Sequence, residues 1–174
     1  MGEAGRIEKA REILGWGMVQ RCRAEVRRPR DAGELEALLA EARRRGLRVG
    51  LRGSGMSYGD ASLADGALLL ELGEMNRLLD WDPETGVLRA EPGLRLHDVW
   101  RHVLAAGWWP PVVSGTQFTS LGGAVAMNIH GKNGVQVGPI GDHVRAFVAK
   151  TCTDLPRDGI DWVHYEDVFS IQSG

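Results

Sequence analysis

Glycine and small hydroxyl residues are concentrated in residues 53–60, which read Gly-Ser-Gly-Met-Ser-Tyr-Gly-Asp. A backbone with few side chains can fold closely around a ligand, and its N–H groups can form a concave nest for an anion. The stretch directly follows a strand-like run at residues 48–52. We therefore expect this first glycine loop to hold a phosphate or a diphosphate at the end of a strand.

A second stretch, residues 115–133, has the same character and ends in Ile-His-Gly-Lys-Asn. Two such segments in one short chain favour a bound nucleotide cofactor. His130 and Lys132 are the residues of this stretch whose side chains can carry charge or move a proton. The alternatives are a hydrogen-bonded structural histidine and a lysine in a structural salt bridge. The other histidines lack such a context and are interpreted as structural or exposed: His97, His102, His143 and His164.

Composition indicates an ordinary folded domain with an unusual amount of glycine. The chain has 174 residues, of which 43% are hydrophobic and 25% are charged, as in typical globular domains. Its 24 glycines among 174 residues make a fraction about twice the usual ~7%, and they cluster without repeating. The net charge of −2 argues against a dedicated nucleic-acid-binding protein, which usually carries a basic patch.

The cysteines and the N-terminal residues bear on the compartment. Cys22 and Cys152 lie far apart without metal-ligand spacing, so we expect free thiols, a reducing environment and no metal site. The first twelve residues are charged and lack the apolar segment of a signal peptide. No apolar run approaches the ~20 residues that a membrane span needs. A cytoplasmic protein without a membrane span is expected, and the sequence gives no oligomeric state.

The first half of the chain predicts a β-α-β arrangement with a further strand. The expected elements are a helix over residues 3–14 that ends at Gly15, a strand over 24–28, a helix between the N-cap Asp31 and Gly46, and strands over 47–52 and 67–72. Trp16 is expected to anchor the chain onto the body of the fold. In a Rossmann fold the glycine loop opens directly into a helix. Here a loop and a strand follow, which disfavours a Rossmann assignment.

The second half predicts more β structure with one helix. The expected elements are a hairpin with strands over 78–81 and 87–90 around a turn at 82–86, a helix over 96–104 that ends at Gly107, and a hairpin in the tail with its turn at 157–159 and a return strand over 160–165.

The motifs resemble, in order, those of FAD-dependent oxidoreductases of the vanillyl-alcohol oxidase / p-cresol methylhydroxylase (PCMH) type. The resemblance covers about residues 16–149, and the matching pieces are residues 53–60, Pro92-Gly93, Gly115-Thr116, residues 121–124 and residues 129–133. Within the family, the Ser-Tyr-Gly-Asp and Ile-His-Gly-Lys-Asn pieces look most like decaprenylphosphoryl-ribose oxidase and its relatives that oxidise sugar alcohols, with D-arabinono-1,4-lactone oxidase-like proteins beside them.

The resemblance implies an α+β fold, a PCMH-type FAD-binding domain of two α/β subdomains with the cofactor between them. These subdomains would cover about residues 21–75 and 76–149. Residues 1–20 would form an N-terminal helix and anchor. Residues 150–174 no longer match the family and form a divergent tail, so we expect a domain that is incomplete at its C-terminus and lacks the separate substrate domain of the family.

The resemblance also assigns roles to residues. The expected FAD-binding residues are Arg52, Gly53, Ser54, Gly55, Met56, Ser57, Tyr58, Gly59, Gly115, Thr116, Ser120, Gly122, Gly123, Ala124, Asn128 and His130. His130 and Lys132 would lie beside the isoalloxazine ring as the catalytic residues, where a cation or N–H donor stabilises reduced flavin. Tyr58 would pack near the flavin, and the alternative is a core tyrosine. Many relatives attach FAD covalently through a histidine in the first loop, and this loop has Met56 and no histidine, so we expect non-covalent FAD.

The implied function is hydride transfer from a CH–OH group of a sugar or polyol, a small-molecule substrate, to flavin N5. The alternative is a truncated, non-catalytic flavin-domain fragment without the substrate domain. A bound ligand at about 1,000 times its dissociation constant stabilises a fold by roughly 4 kcal/mol. A chain with only part of the FAD site loses much of that support, so we expect it to bind FAD weakly or not at all in isolation.

Overall fold

A computed structural model describes residues 9–151 and 163–166 of the 174-residue chain, with side chains described for residues 9–148. The chain divides into two compact units, Met1–Met75 and Asn76–Gly174. Each unit combines helices with parallel or antiparallel strands. The α+β class that the sequence predicted is confirmed.

The first unit is built on a four-stranded sheet. Its strands are β1 (Arg11–Leu14), β2 (Arg21–Arg27), β3 (Val49–Arg52) and β4 (Leu68–Glu71), in the spatial order β1-β2-β4-β3. β4 lies parallel to both of its neighbours, β2 and β3, while β1 is antiparallel to β2. Leu68, Leu69 and Leu70 are fully buried, as expected for a central parallel strand covered on both faces.

The helix predicted over residues 3–14 is wrong where the structure describes it. Arg11–Leu14 is the edge strand β1, paired with β2 from Arg11 opposite Ala24 to Leu14 opposite Arg21. Ile13 packs onto a core cluster of Cys22, Ala24, Val26 and Leu69. This pairing with residues seven to thirteen positions away overrides the local helix preference of a charged segment. Residues 1–8 lie outside the described part of the chain.

Helix α1 (Ala32–Arg44) confirms the predicted helix and its ends. Asp31 caps the N-terminus, where its carboxylate accepts a hydrogen bond from the Glu34 N–H at 2.8 Å. Leu35, Leu39 and Ala42 form the buried face. Gly46 follows the helix with φ of +63°, the left-handed conformation that glycine adopts at little cost.

A buried carboxylate ties α1 to the sheet. Glu25 of β2 is 3% exposed and lies 2.8 Å from Arg45 and 2.7 Å from Arg27. Arg45 also lies 2.7 Å from Glu41 on the helix. Arg45, at the end of the basic run after α1, therefore has a structural role within the first unit, because it neutralises the buried charge of Glu25 together with Arg27.

The second unit begins with the predicted hairpin of β5 (Leu78–Asp82) and β6 (Val87–Ala90) and continues with short helices. Its further elements are α2 (Leu96–Val103), α3 (Leu121–Ala126), α4 (Gly134–Val137), β7 (Val148–Thr151) and β8 (Val163–Glu166). Short 3₁₀ turns cover Leu72–Glu74 in the first unit and Leu104–Ala106 and Ile140–His143 in the second. Leu88, Leu96, Val99 and Leu121 form part of the core of the second unit.

The predicted tail hairpin is confirmed in part. β7 pairs antiparallel with β8, with Ala149 opposite Tyr165. The predicted return strand over residues 160–165 is therefore present from Val163 onward. The turn expected at residues 157–159 lies outside the described residues.

The described residues give no sign of a membrane span or of a metal site. None of their helices is long and apolar enough to cross a bilayer. No group of three or more histidine, cysteine or acidic side chains is placed to hold a metal ion among them. Cys22 is a buried free thiol, and Cys152 lies outside the described residues.

The turn of the β5–β6 hairpin carries a pH-dependent contact. The Asp82 carboxylate accepts hydrogen bonds from the Thr85 hydroxyl at 2.5 Å and the Glu84 N–H at 2.9 Å. These bonds, the hydroxyl first, lower the pKa of Asp82 below its usual value. A depressed folded-state pKa adds stability above the unfolded pKa of about 3.9, and this stability is lost as pH falls through the folded value.

We expect Asp82→Asn to be less stable than wild type at neutral pH, and the gap to close as pH falls below about 4. Urea unfolding midpoints of both proteins between pH 7 and pH 3 measure this, with Glu84→Gln as a control because the side chain of Glu84 is exposed and takes no part in the turn bonds. A gap that stays constant with pH would show that the charge on Asp82 does not matter.

Candidate functional site

The first glycine loop leaves the end of β3 with unused main-chain donors. Within the described residues, no N–H of residues 54–59 donates to a protein acceptor, and the hydroxyls of Ser54 and Ser57 have no protein partner. Gly55 is buried with φ of +68°, and Gly59 has φ of +66°. Consecutive free N–H groups on a loop with left-handed glycines form the kind of nest that binds anions.

Arg52 stands at the start of this loop with its side chain turned into the first unit. The Arg52 side chain is 15% exposed. It donates to the Ser62 hydroxyl at 3.0 Å and to the Leu14 carbonyl at 3.0 Å, and its Nε lies 3.7 Å from the Glu71 carboxylate. Its nitrogens therefore contact protein groups, and the predicted role of Arg52 in cofactor binding stays a prediction.

Tyr58 lies at the other end of the loop and is 83% exposed, so it is not a core tyrosine. Its ring meets Trp16 edge to face, with 5.5 Å between ring centroids and 83° between the planes. Trp16 is itself 48% exposed. The first unit thus presents an aromatic pair next to the free N–H groups, and the Tyr58 ring is open to a ligand.

The second glycine-rich segment divides into a buried and an exposed part. Ser120 and Ala124 are almost fully buried in the second unit. Gly122 is buried where a Cβ would lie 2.7 Å from the Cβ of Pro92 and 3.3 Å from its carbonyl oxygen, so close packing against the Pro92 turn explains this glycine. Gly123 and Thr116 are half-buried and Gly115 is exposed, so these three are the more accessible of the predicted cofactor residues there.

Residues 128–133 are held by their own polar groups. Asn128 has φ of +43°, and its side-chain carbonyl accepts the Gly141 N–H at 3.0 Å. Gly131 is buried where a Cβ would lie 2.8 Å from the Val113 carbonyl oxygen. The side-chain amide of Asn133 donates to the Pro111 carbonyl at 3.0 Å. The side chain of Asn128, a predicted cofactor residue, is thus engaged in a structural bond.

His130 and Lys132 project from this fixed segment and are exposed. Nδ1 of His130 lies 3.4 Å from the Gly131 carbonyl, a distance too long for a strong hydrogen bond. Lys132 has no carboxylate partner within the described residues, so the structural salt bridge considered for it is not present there. Both catalytic candidates therefore have ionisable groups that are available to a ligand.

The other histidines agree with a structural or exposed role where they are described. His97 contacts Asp98 at 3.1 Å and stacks on Phe118. Nε2 of His143 donates to the Val137 carbonyl at 2.8 Å, and His102 is exposed. The side chain of His164 lies outside the described set.

Two positioning residues were missed by the sequence reasoning. Ser62 is 6% exposed and binds Arg52, and nothing in its sequence context indicates this. Asn133 is the last residue of the Ile-His-Gly-Lys-Asn motif, and its place beside Lys132 could have suggested a role in holding that segment.

Comparison with known proteins adds the deciding observation. Residues 24–153 match a protein family described as an FAD binding domain. The chain belongs to this family. It is a PCMH-type FAD-binding domain, as the resemblance of its motifs predicted.

Relatives of this FAD-binding domain include several oxidoreductases. Decaprenylphosphoryl-beta-D-ribose oxidase of Mycolicibacterium smegmatis is 33% identical over 148 residues, which are 84% of this chain and 32% of that protein. D-lactate dehydrogenase of Anaerostipes hadrus is 34% identical over 59% of this chain and 20% of its own length. L-gulonolactone oxidase of Mus musculus is 27% identical over 80% of this chain and 31% of its own length. The chain thus spans about a third or less of these relatives.

A solved structure supports the fold. Alkyldihydroxyacetonephosphate synthase superimposes with a TM-score of 0.69 at 19% identity, over 85% of this chain and 30% of that one. At this identity the likeness shows the fold alone.

Proposed function

We propose that this chain is the FAD-binding portion of an oxidoreductase that takes a hydride from a CH–OH group of a sugar or polyol. The observation that carries the proposal is the row of free N–H groups at residues 54–59, in a chain of the FAD binding domain family. Three relatives are, by name, a decaprenylphosphoryl-ribose oxidase, a lactate dehydrogenase and a gulonolactone oxidase. Ribose, lactate and gulonolactone all carry hydroxyl groups on carbon, which supports a CH–OH donor.

The first glycine loop fits the diphosphate of FAD. A diphosphate carries two or more negative charges and needs several donors without side chains in the way. The free N–H groups and the hydroxyls of Ser54 and Ser57 supply such donors. Because Gly55 and Gly59 have left-handed φ values, the backbone can turn its N–H groups toward one side.

His130 and Lys132 are proposed to act on the flavin and the substrate. A bound flavin supplies the acceptor for the hydride and gains negative charge as it is reduced. The ammonium of Lys132 stabilises that charge. His130 orients the substrate hydroxyl and accepts its proton.

Replacing Lys132 with methionine is expected to weaken the binding of reduced FAD more than the binding of oxidised FAD. The loss of one nearby cation should make the midpoint potential of the bound flavin more negative by about 30 mV, equivalent to about 1.4 kcal/mol for two electrons. Lys132→Arg should keep most of the wild-type potential, and Arg101→Met, an exposed site on α2, serves as the control. A midpoint potential that is identical in wild type and Lys132→Met would show that Lys132 does not stabilise the reduced flavin.

The attachment and the reaction can be tested on one preparation. FAD is expected to be non-covalent, because the first loop contains Met56 and no histidine. Acid precipitation of the loaded protein should release the flavin into the supernatant, and a yellow pellet would contradict this.

Anaerobic bleaching of the bound flavin by a panel of sugars and polyols should then identify a substrate. A chain that binds FAD and is bleached by none of them would support the non-catalytic alternative.

A further inference from the structure

Arg52 contacts several segments of the first unit. Its guanidinium donates to Leu14 at the end of β1 and to Ser62 after the loop, and it lies near Glu71 at the end of β4. Arg52 and Glu71 are also backbone partners in the β3–β4 ladder. One side chain therefore connects three separate segments at the edge of the sheet where the first glycine loop begins.

The guanidinium also occupies the space beside Gly55. A Cβ at Gly55 would lie 2.7 Å from the Cζ of Arg52 and 3.1 Å from its Nε. The glycine backbone therefore rests directly on the guanidinium in the middle of the loop. The φ of +68° at Gly55 and the position of Arg52 fit each other, because any side chain at residue 55 would need the same space.

The β1–β2 hairpin contacts both ends of the same loop. At the start of the loop, the Leu14 carbonyl accepts from Arg52. At its end, Gly15 is so close that a Cβ would lie 3.0 Å from the Gly59 carbonyl oxygen. The Trp16 ring then meets Tyr58. The hairpin and Arg52 thus hold the loop on its protein side, while its N–H groups remain free.

We propose that Arg52 is a positioning residue for cofactor binding, which fixes the shape of the first glycine loop through Leu14, Ser62 and Gly55 and does not itself touch the diphosphate. The proposal rests on the FAD-binding function argued above. The affinity for FAD would then depend on a side chain whose nitrogens lie against the protein groups Leu14, Ser62 and Glu71. Arginine suits this place because its planar fork presents separate nitrogens to the Ser62 and Leu14 oxygens, whereas lysine has a single ammonium nitrogen.

The test measures FAD affinity and loop order separately. Dissociation constants for FAD come from quenching of flavin fluorescence in the full 174-residue chain, wild type and variants. Amide hydrogen exchange of residues 15–20 and 53–60 is measured without FAD. The variants are Arg52→Met, Arg52→Lys and Arg52→Ala, with Arg48→Met as the control. Arg48 is an exposed arginine four residues earlier that donates to the Asp65 carbonyl and makes no contact with the loop.

Arg52→Met should raise the FAD dissociation constant at least tenfold, and Arg52→Lys should recover only a small part of the affinity. Exchange should speed up at both segments in these variants and stay as in wild type in Arg48→Met. Methylguanidinium in the buffer should partly restore FAD binding to Arg52→Ala. Such rescue would not follow from a general loss of stability.

Three results separate the possibilities. Wild-type affinity in Arg52→Met would overturn the proposal. Weaker binding with unchanged exchange in the loop would also overturn it, because Arg52 would then act by touching FAD. Faster exchange in the variants together with no FAD binding by wild type would leave the positioning role standing and would refute the proposed function.

Discussion

Replacing Gly55 with valine is expected to abolish measurable FAD binding. Residue 55 has φ of +68°, a conformation that costs a residue with a side chain about 1–2 kcal/mol. The new Cβ would also displace the guanidinium of Arg52, which would break its bonds to Leu14 and Ser62. The nest would lose both its backbone shape and its support. Fluorescence titration with FAD measures the effect, and we expect a loss of about 100-fold or more, or about 2.7 kcal/mol.

Two other glycines serve as matched controls for Gly55. Gly59 has φ of +66° with open space around the Cβ position, so Gly59→Ala tests the backbone penalty without displacing Arg52. Gly17 has neither a positive φ nor a close neighbour, and Gly17→Ala should behave as wild type. The loss should be largest for Gly55→Val, smaller for Gly59→Ala and absent for Gly17→Ala.

A double-mutant cycle shows whether Gly55 acts through Arg52. If the clash with the guanidinium causes the rest of the loss, Gly55→Ala should add to Arg52→Ala only the backbone penalty that Gly59→Ala shows, because the obstacle is already gone. Losses that add fully in the double variant would mean that the two residues act independently.

Replacing Gly86 with alanine is expected to destabilise the second unit by about 3 kcal/mol. Gly86 has φ of +72°, and a Cβ there would lie 2.7 Å from Cη2 and 2.8 Å from Cε3 of Trp108. The Trp108 indole also donates to the Pro83 carbonyl at 2.8 Å. The left-handed backbone costs about 1–2 kcal/mol, and loss of the indole bond costs about 1 kcal/mol.

The effect of Gly86→Ala is measured by urea or thermal unfolding. For a chain of this size, 3 kcal/mol corresponds to a fall in Tm of about 6–12 °C. Gly107 provides the matched control, since it has φ of +82° and nothing within 4 Å of the Cβ position. Equal destabilisation by Gly107→Ala and Gly86→Ala would show that the contact with Trp108 contributes nothing.

The sequence predicted the conformation of the first glycine loop well, because that conformation depends on local residues. Glycines at positions 53, 55 and 59 permit a left-handed backbone, and the residues after them are not helical, which excluded a Rossmann loop. Turn and cap residues were equally reliable, as Asp31, Gly46 and Gly107 end or begin helices where expected. Local signals of this kind need no knowledge of distant contacts.

Contacts between distant residues were beyond the sequence reasoning. The segment Arg11–Leu14 was expected to be helical. It forms a strand because its pairing with β2 is decided by the sheet and not by its own residues. The partners of Arg52 lie 38 and 10 positions away, so its guanidinium could not be placed. Gly122 was read as a cofactor residue, yet the structure also gives it a packing reason, the close approach of Pro92.

The catalytic candidates fall between these two cases. The sequence indicated the motif around His130 and Lys132, but it did not predict that both side chains are exposed. The structure shows how Asn128, Gly131 and Asn133 fix the backbone of this segment. That arrangement depends on Gly141, Val113 and Pro111, which no local pattern connects with the motif.

Titration of the chain with FAD, FMN and riboflavin tests the central claim most directly. The free N–H groups of residues 54–59 are proposed to hold a diphosphate, which FAD alone of the three possesses. The free N–H groups narrow the expectation of weak or absent binding in isolation to weak binding. The account predicts weak but saturable and reversible binding of one FAD per chain, weaker binding of FMN, weaker still of riboflavin, and competition by ADP. Equal affinity for FAD and riboflavin, or no saturable binding of FAD at all, would contradict it.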